Sequence, residues 1–204
     1  MSCVNPLLKT SYSLIAPFYD LAIQRPLLKA RARCLQDLPR DKPGRVLFSG
    51  VGTGLDLPLL PGMHRYAALD FNAAMLSRAR KRGANLSVDW VLGDAMELPF
   101  ADAQYDHVVL HLILAVVPFP EKCLIEAARV LKPGGTIHVF DKFLRPGQHA
   151  LLRRLLNPLT RRLATRLDVV FEEVLLAAPQ MQVISDIPLL AGGWFRGIVL
   201  QKQF

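Results

Sequence analysis

RVLFSGVGTG, residues 45–54, is an apolar run of strand type that breaks into three glycines, Gly50, Gly52 and Gly54, ahead of a helical pattern. A strand, a tight glycine turn and a helix together bring a ligand against bare backbone N–H groups. The spacing narrows the choice of ligand. A dinucleotide fingerprint of the form G-x-G-x-x-G needs a glycine at position 55, and the chain has Leu55 there. A pyrophosphate reading therefore loses ground.

From Arg45 onward, short apolar runs alternate with helical patterns, the signature of a parallel sheet covered by helices. The pattern predicts strands over 45–49, 65–70, 87–92, 105–113 and 135–141, and helices over 54–60, 72–82 and 120–132. The last helix meets a stop signal at Lys132-Pro133-Gly134-Gly135. Beyond the fifth strand, Asn157-Pro158 divides a helical region into 147–156 and 158–167, and Asp168 is placed to cap a further helix to 178 with Glu172 and Glu173 in its early turns. Two β-like runs, 181–188 and 194–203, joined through Ala191-Gly192-Gly193, predict an antiparallel pair at the sheet edge.

The chain has 204 residues, 51% hydrophobic and 21% charged, which suits one domain with a real core and excludes a disordered chain. We divide that domain into an N-terminal helical cap (1–40), a cofactor-binding core (41–142), and a basic helical segment with a terminal β-hairpin (143–204). Cys3, Cys34 and Cys123 are scattered, without C-x-x-C spacing, so neither a disulfide framework nor a zinc site is expected. The N-terminus lacks the long apolar region of a secretory signal, and the uncharged stretch from His107 to Pro120 is shorter than the roughly 20 residues that span a bilayer. The expectation is a soluble cytoplasmic protein, at most peripheral on the inner face of the membrane.

The formal net charge of +8 is unevenly placed. Residues 1–36 hold five basic residues and one acid, residues 142–166 hold seven basic residues and no acid, and the remainder holds 13 basic against 16 acidic residues. The basic character is therefore local to two segments flanking a slightly acidic body.

Two acids extend the glycine signal. Asp70 closes the second predicted strand, 20 residues beyond Gly50, where a carboxylate can accept both hydroxyls of a ribose. Alone, it would equally suit a helix cap ahead of Asn72. Gly93-Asp94-Ala95-Met96 follows the third strand, and Asp94 alone could be an ordinary turn residue. A glycine loop, a ribose acid and a third strand-end acid in this order point to an adenosine-type cofactor.

The set VLFSGVGTG, ALDFNAAML, GDAMELPF, YDHVVLHLILAVVP and ARVLKPGG resembles the class I S-adenosylmethionine-dependent methyltransferases over about residues 12–142. The resemblance implies an α/β Rossmann-like fold, a seven-stranded and mostly parallel sheet of order 3-2-1-4-5-7-6 with helices on both faces. It also implies S-adenosyl-L-methionine as cofactor. Gly50, Val51, Gly52 and Gly54 would hold its methionine end, Asp70 with Phe71 its ribose, and Asp94, Ala95 and Met96 its adenine. The chain departs from the family at Phe48, where many relatives carry an acid two residues before the first glycine. That departure bears on the anchoring of the methionine ammonium.

Within the family, YSLIAPFYD, GVGTGLDLPLL and LAVVPFPEKCLIEAARVLKPGG are similar to the short bacterial phosphatidylethanolamine N-methyltransferases. The expected reaction is methylation of a phosphatidylethanolamine-type amine at the membrane surface. Methylation of a quinone or another small molecule is the alternative, and a non-catalytic cofactor- or lipid-binding protein is a third reading that Phe48 favours. Methyl transfer is an in-line displacement needing alignment and exclusion of water, and an amine acceptor must first lose a proton. Tyr12 and Tyr19 in the cap, His111 in the fourth strand and Asp141 at the end of the fifth are the candidates for that work, with Tyr19, His111 and Asp141 favoured. His111 could instead be a satisfied core residue, and Asp141 could simply pair with Lys142 or Arg145.

The partners expected are an amphiphilic or small-molecule substrate and an anionic membrane surface met by residues 1–36 and 142–166. Leu152, Leu155, Leu156, Leu159, Leu163 and Leu167 share one side of a helical wheel, with Arg153, Arg154, Arg161 and Arg162 mostly outside it. A core-facing stripe with solvated arginines would look the same. Nucleic acid ranks below both: Ala115-Val116-Val117-Pro118-Phe119 replaces the Asn/Asp-Pro-Pro-aromatic string of base-amine methylation, and no Pro-Cys pair offers a nucleophile for pyrimidine C5.

Overall fold

The computed structural model describes residues 27–145 and 168–204. Seven strands form one sheet: β1 (Arg45–Ser49), β2 (Arg65–Asp70), β3 (Val88–Leu92), β4 (Tyr105–His111), β5 (Leu131–Lys142), β6 (Met181–Leu190) and β7 (Phe195–Lys202). Their order is 3-2-1-4-5-7-6. β1 through β5 pair in parallel, and β7 is antiparallel to both β5 and β6. The expected order and the antiparallel terminal pair are both observed.

The central strands are apolar throughout because helices cover both faces, so alternate residues feed two separate cores. Val46 and Phe48 of β1, Tyr66 and Ala68 of β2 and Val109 of β4 face Leu35, Leu38, Leu57, Leu76 and Ala79. The residues between them, Leu47, Ala67, Leu69, Val108 and Leu110, face Cys123, Leu124, Ala127, Phe171 and Val174. A helix over residues 27–35, α1, supplies Leu27, Ala30 and Cys34 against Phe140 of β5. The others are α2 (Ala73–Arg82), α3 (Pro120–Val130) and α4 (Phe171–Leu175). Among the described residues, no helix is long and apolar enough to cross a membrane.

Local chemistry sets most boundaries. Asn72 caps α2, its side chain accepting from the N–H of Ala74 at 2.9 Å and of Met75 at 3.4 Å. Pro120 opens α3, where a missing N–H costs nothing. That helix stops at Val130, two residues before the expected end, and β5 starts at once through Lys132-Pro133-Gly134-Gly135. Gly135 is required there, since a Cβ would lie 2.7 Å from the Asp106 carbonyl oxygen.

Three expectations are corrected. The helix expected over 54–60 is a series of turns with one 3-10 segment at Leu57–Leu59, because Gly54 has φ of +79° and Pro58 lies in its first turn. The helix expected from Asp168 to 178 shortens to α4, capped at Val170, so Asp168 is not its cap; Glu172 and Glu173 do lie in its first turn. The fourth strand ends at His111, because Leu112 turns out with φ of +57°. The helices expected over 147–156 and 158–167 lie outside the described residues.

Candidate active site

The glycine loop turns where β1 ends. The N–H groups of Gly50 and Val51 both donate to the Leu69 carbonyl, at 2.8 and 2.9 Å, which folds the chain over the end of β2. Gly50, at φ of +78°, tolerates no side chain: a Cβ would fall 2.0 Å from Ile113 Cδ1. Asp70 latches the loop from the end of β2. One carboxylate oxygen accepts from Gly52 N–H at 2.8 Å and the other from Asn72 N–H at 2.9 Å. Burial raises the Asp70 carboxyl above its ordinary value, against the lowering pull of these backbone donors.

A cavity opens above these strand ends, lined by Gly50, Val51, Gly52, Asp70, Phe71, Asp94, Ala95, Met96 and His111 among others. Eight of the nine residues expected to bind cofactor are therefore brought together. The exception is Gly54, which is a packing glycine: a Cβ there would lie 2.9 Å from Ala79 Cα in the backbone of α2. Asp94 accepts from Met96 N–H at 2.9 Å, fixing the turn that presents Ala95 and Met96. Phe48 is buried in the core with its ring 6.3 Å from that of Tyr66, so the carboxylates lining the cavity are Asp56, Asp70 and Asp94.

Of the expected acid–base candidates, the structure brings His111 to the cavity. Asp141 is fully buried elsewhere, accepting from Ala115 N–H at 3.0 Å and Lys142 N–H at 2.8 Å. It therefore pins the loop that follows β4 rather than facing an acceptor. Burial also pushes its carboxyl upward. Tyr12 and Tyr19 lie outside the described residues.

Two residues not foreseen complete this wall. Asp56, in the turn after the glycine loop, accepts from Arg31 Nη1 at 2.6 Å and meets His111 Nδ1 at 3.0 Å. All three are buried and all three line the cavity. Burial by itself would raise the Asp56 carboxyl, but charge on His111 and Arg31 and the hydrogen bonds from both outweigh it and hold it well below the usual carboxylate range. Arg31 was counted with the basic segment expected to meet a membrane, and it is instead spent inside the protein. Its neighbour Arg33 pairs with Asp37 at 3.2 Å. The one signal in the sequence was Asp56 itself, a lone charge within the apolar run Leu55 to Leu60.

The chemistry of the lining fits the expected cofactor. Ribose hydroxyls and an adenine amino group are donors, and Asp70 and Asp94 offer acceptors at the ends of adjacent strands. Val51, Leu69, Met75 and Ile113 supply apolar walls between them. Residues 47–139 match the family model described as a methyltransferase domain. An S-adenosylmethionine-dependent methyltransferase from Thermotoga maritima superposes with a TM-score of 0.71 at 20% identity, over 96% of this chain and 99% of that one. That likeness speaks to the fold. The chain is also 35% identical over 165 residues to the phosphatidylethanolamine N-methyltransferase of Cereibacter sphaeroides, covering 78% of this chain and 81% of that protein.

The chain thus belongs to the class I S-adenosylmethionine-dependent methyltransferases, and S-adenosylmethionine is its cofactor. It is similar as well to the demethylmenaquinone methyltransferase of Renibacterium salmoninarum, at 35% identity over 62% of this chain and 55% of that protein.

Proposed function

We propose that the enzyme methylates the amine of phosphatidylethanolamine-type phospholipids. The observation that carries this reading is the similarity to the Cereibacter enzyme, which runs through most of both chains, whereas the quinone-methylating relative is matched over little more than half its length.

The cofactor supplies an electrophilic methyl on sulfur. The acceptor nitrogen attacks in line, the N–CH3 bond forms as the S–CH3 bond breaks, and the electron pair stays on sulfur. For that attack an ammonium must first become an amine. His111 Nε2 takes this proton and later passes it to water, which is the base role for an imidazole. Gly50, Gly52, Asp70, Asp94, Ala95 and Met96 orient the cofactor, while Val116, Val117 and Pro118 on the loop held by Asp141 keep water from the reacting atoms. The basic segments 1–36 and 142–166 serve to seat the enzyme on an anionic leaflet, without Arg31, which is buried against Asp56.

The second reading is a quinol acceptor, favoured by the match to the Renibacterium enzyme. Labelled S-adenosylmethionine offered together with anionic liposomes containing phosphatidylethanolamine, and separately with a demethylated quinol, decides between them. Label in the phospholipid headgroup supports the proposal. Label in the quinol alone overturns it.

A further inference from the structure

The Arg31–Asp56–His111 group is assembled from three distant parts of the chain, and cross-linking them does not by itself call for an imidazole. Asp56 precedes the 3-10 segment at Leu57–Leu59 yet makes no side-chain cap to it. Both of its oxygens are turned inward instead, one to Arg31 and one to His111. An Arg31–Asp56 pair would already be neutral, so the imidazole adds nothing that charge balance demands. The imidazole is also left half satisfied: Nε2 is buried with no hydrogen-bond partner among the described residues, and the residue lines the cavity.

An ionised carboxylate only accepts hydrogen bonds, so the ring nitrogen facing Asp56 must carry the proton. In the neutral ring, Nε2 is then a bare lone pair. The charged and titratable groups around the ring are Asp56 from the turn after the glycine loop, Arg31 from α1, and Asp141 and His138 from β5. The ring of Phe140 packs edge-on against it at 5.6 Å. Of these, only Asp56 bonds the ring.

We propose that Asp56 is a positioning residue that fixes His111 in the Nδ1–H form, with Arg31 clamping Asp56, so that Nε2 is presented as the proton acceptor for the methyl acceptor. The inference rests on the base role given to His111 above. It extends that role to two residues that act through the imidazole rather than on the reacting atoms. As the proton arrives at Nε2, the imidazolium forms against a carboxylate already in place, and no group has to reorganise.

Nitrogen NMR of histidine-labelled protein with bound S-adenosylhomocysteine tests the geometry without turnover, the His111 signals being assigned by their loss in His111→Gln. The expected result is a protonated Nδ1 and an unprotonated Nε2; the reverse tautomer overturns the proposal. In kinetics with whichever acceptor is turned over, Asp56→Asn and His111→Gln should each lower kcat by about 10²- to 10⁴-fold, the range for a positioned acid or base. Affinity for S-adenosylhomocysteine should stay as in the wild type. The double variant should be no slower than the worse single one.

Unchanged kcat in Asp56→Asn, loss of cofactor affinity as the sole effect, or simple multiplication of the two single effects would each reject the relay. Should Asp56→Asn not fold, Arg31→Lys, which keeps the clamp's charge, should retain most of kcat, and its full inactivation in a folded protein counts against the scheme. A wrong acceptor assignment leaves the tautomer and the double-variant result intact, so the two proposals fail separately.

Discussion

The wall proposed to hold the cofactor draws Gly50, Gly52, Asp70 and Asp94 from the ends of three adjacent strands, each residue within a few positions of where its strand stops. The other wall draws Arg31 from α1, Asp56 from a turn and His111 from β4, 25 and 55 residues apart along the chain. The first wall is held by backbone: N–H groups of Gly52, Asn72 and Met96 bond its acids. The second is held by charge, side chain to side chain in a buried place. Backbone donors come with the fold and tolerate neighbours; buried charges hold one another and fail together.

The largest difference should appear on breaking the charged wall. Arg31→Met leaves the Asp56 carboxylate buried without its guanidinium, and unfolding in urea should show a loss of about 3–5 kcal/mol. A loss below about 1 kcal/mol would mean that the pair is solvated and ordinary. Gly54→Ala tests the backbone wall by geometry. Its Cβ must enter the α2 backbone at Ala79 from a left-handed conformation, costing about 2–4 kcal/mol in the same measurement. No loss would show that α2 can move away from the loop.

Asp70→Ala should act chiefly on binding. Calorimetry with S-adenosylhomocysteine should show affinity weakened by about 10- to 100-fold, the worth of a charge-assisted hydrogen bond or two. Normal affinity would remove Asp70 from the site.

The smallest effect per unit of pH lies in β5, where His138 bonds neither wall. His138 is buried, its Nε2 shares Thr136 Oγ1 with His107, and desolvation, aided by charge on His107 and His111, pushes its pKa down to about 3. The unfolded chain takes that proton first, near the ordinary histidine value of about 6.5. The neutral ring is therefore no burden above that pH, and stability falls as pH drops from about 6.5 toward 3. His138→Gln should flatten the slope of unfolding free energy in that window by up to about 1.4 kcal/mol per pH unit. An unchanged slope would place the titration elsewhere.

Much of the fold was legible in advance for a simple reason. Parallel strands buried on both faces are apolar runs, and glycine, proline and asparagine punctuate them, so β1, β2, β4 and α2 could be read within two residues of their limits. The turn at 54–60 could not, because its leucines repeat with a helical spacing while Gly54 and Pro58 bend the backbone otherwise. The two cavity acids proposed to meet the cofactor, Asp70 and Asp94, were equally legible, since each lies at the end of its own strand. Asp141 misled for the same reason: a strand-end acid can face the crevice or reach back to a backbone N–H, and here Ala115 claims it.

By itself, then, the sequence determined the alternation of strands and helices, the glycine turn, and the order of Asp70 and Asp94 behind it. These are local properties, set by residues a few positions apart. Only the tertiary structure decided that Arg31 turns inward, that Asp56 joins it to His111, and that Asp141 and Gly54 serve packing. Those outcomes depend on which buried charges find partners across 25 to 55 residues of chain, and a partner at that distance leaves no periodic mark on either of its ends.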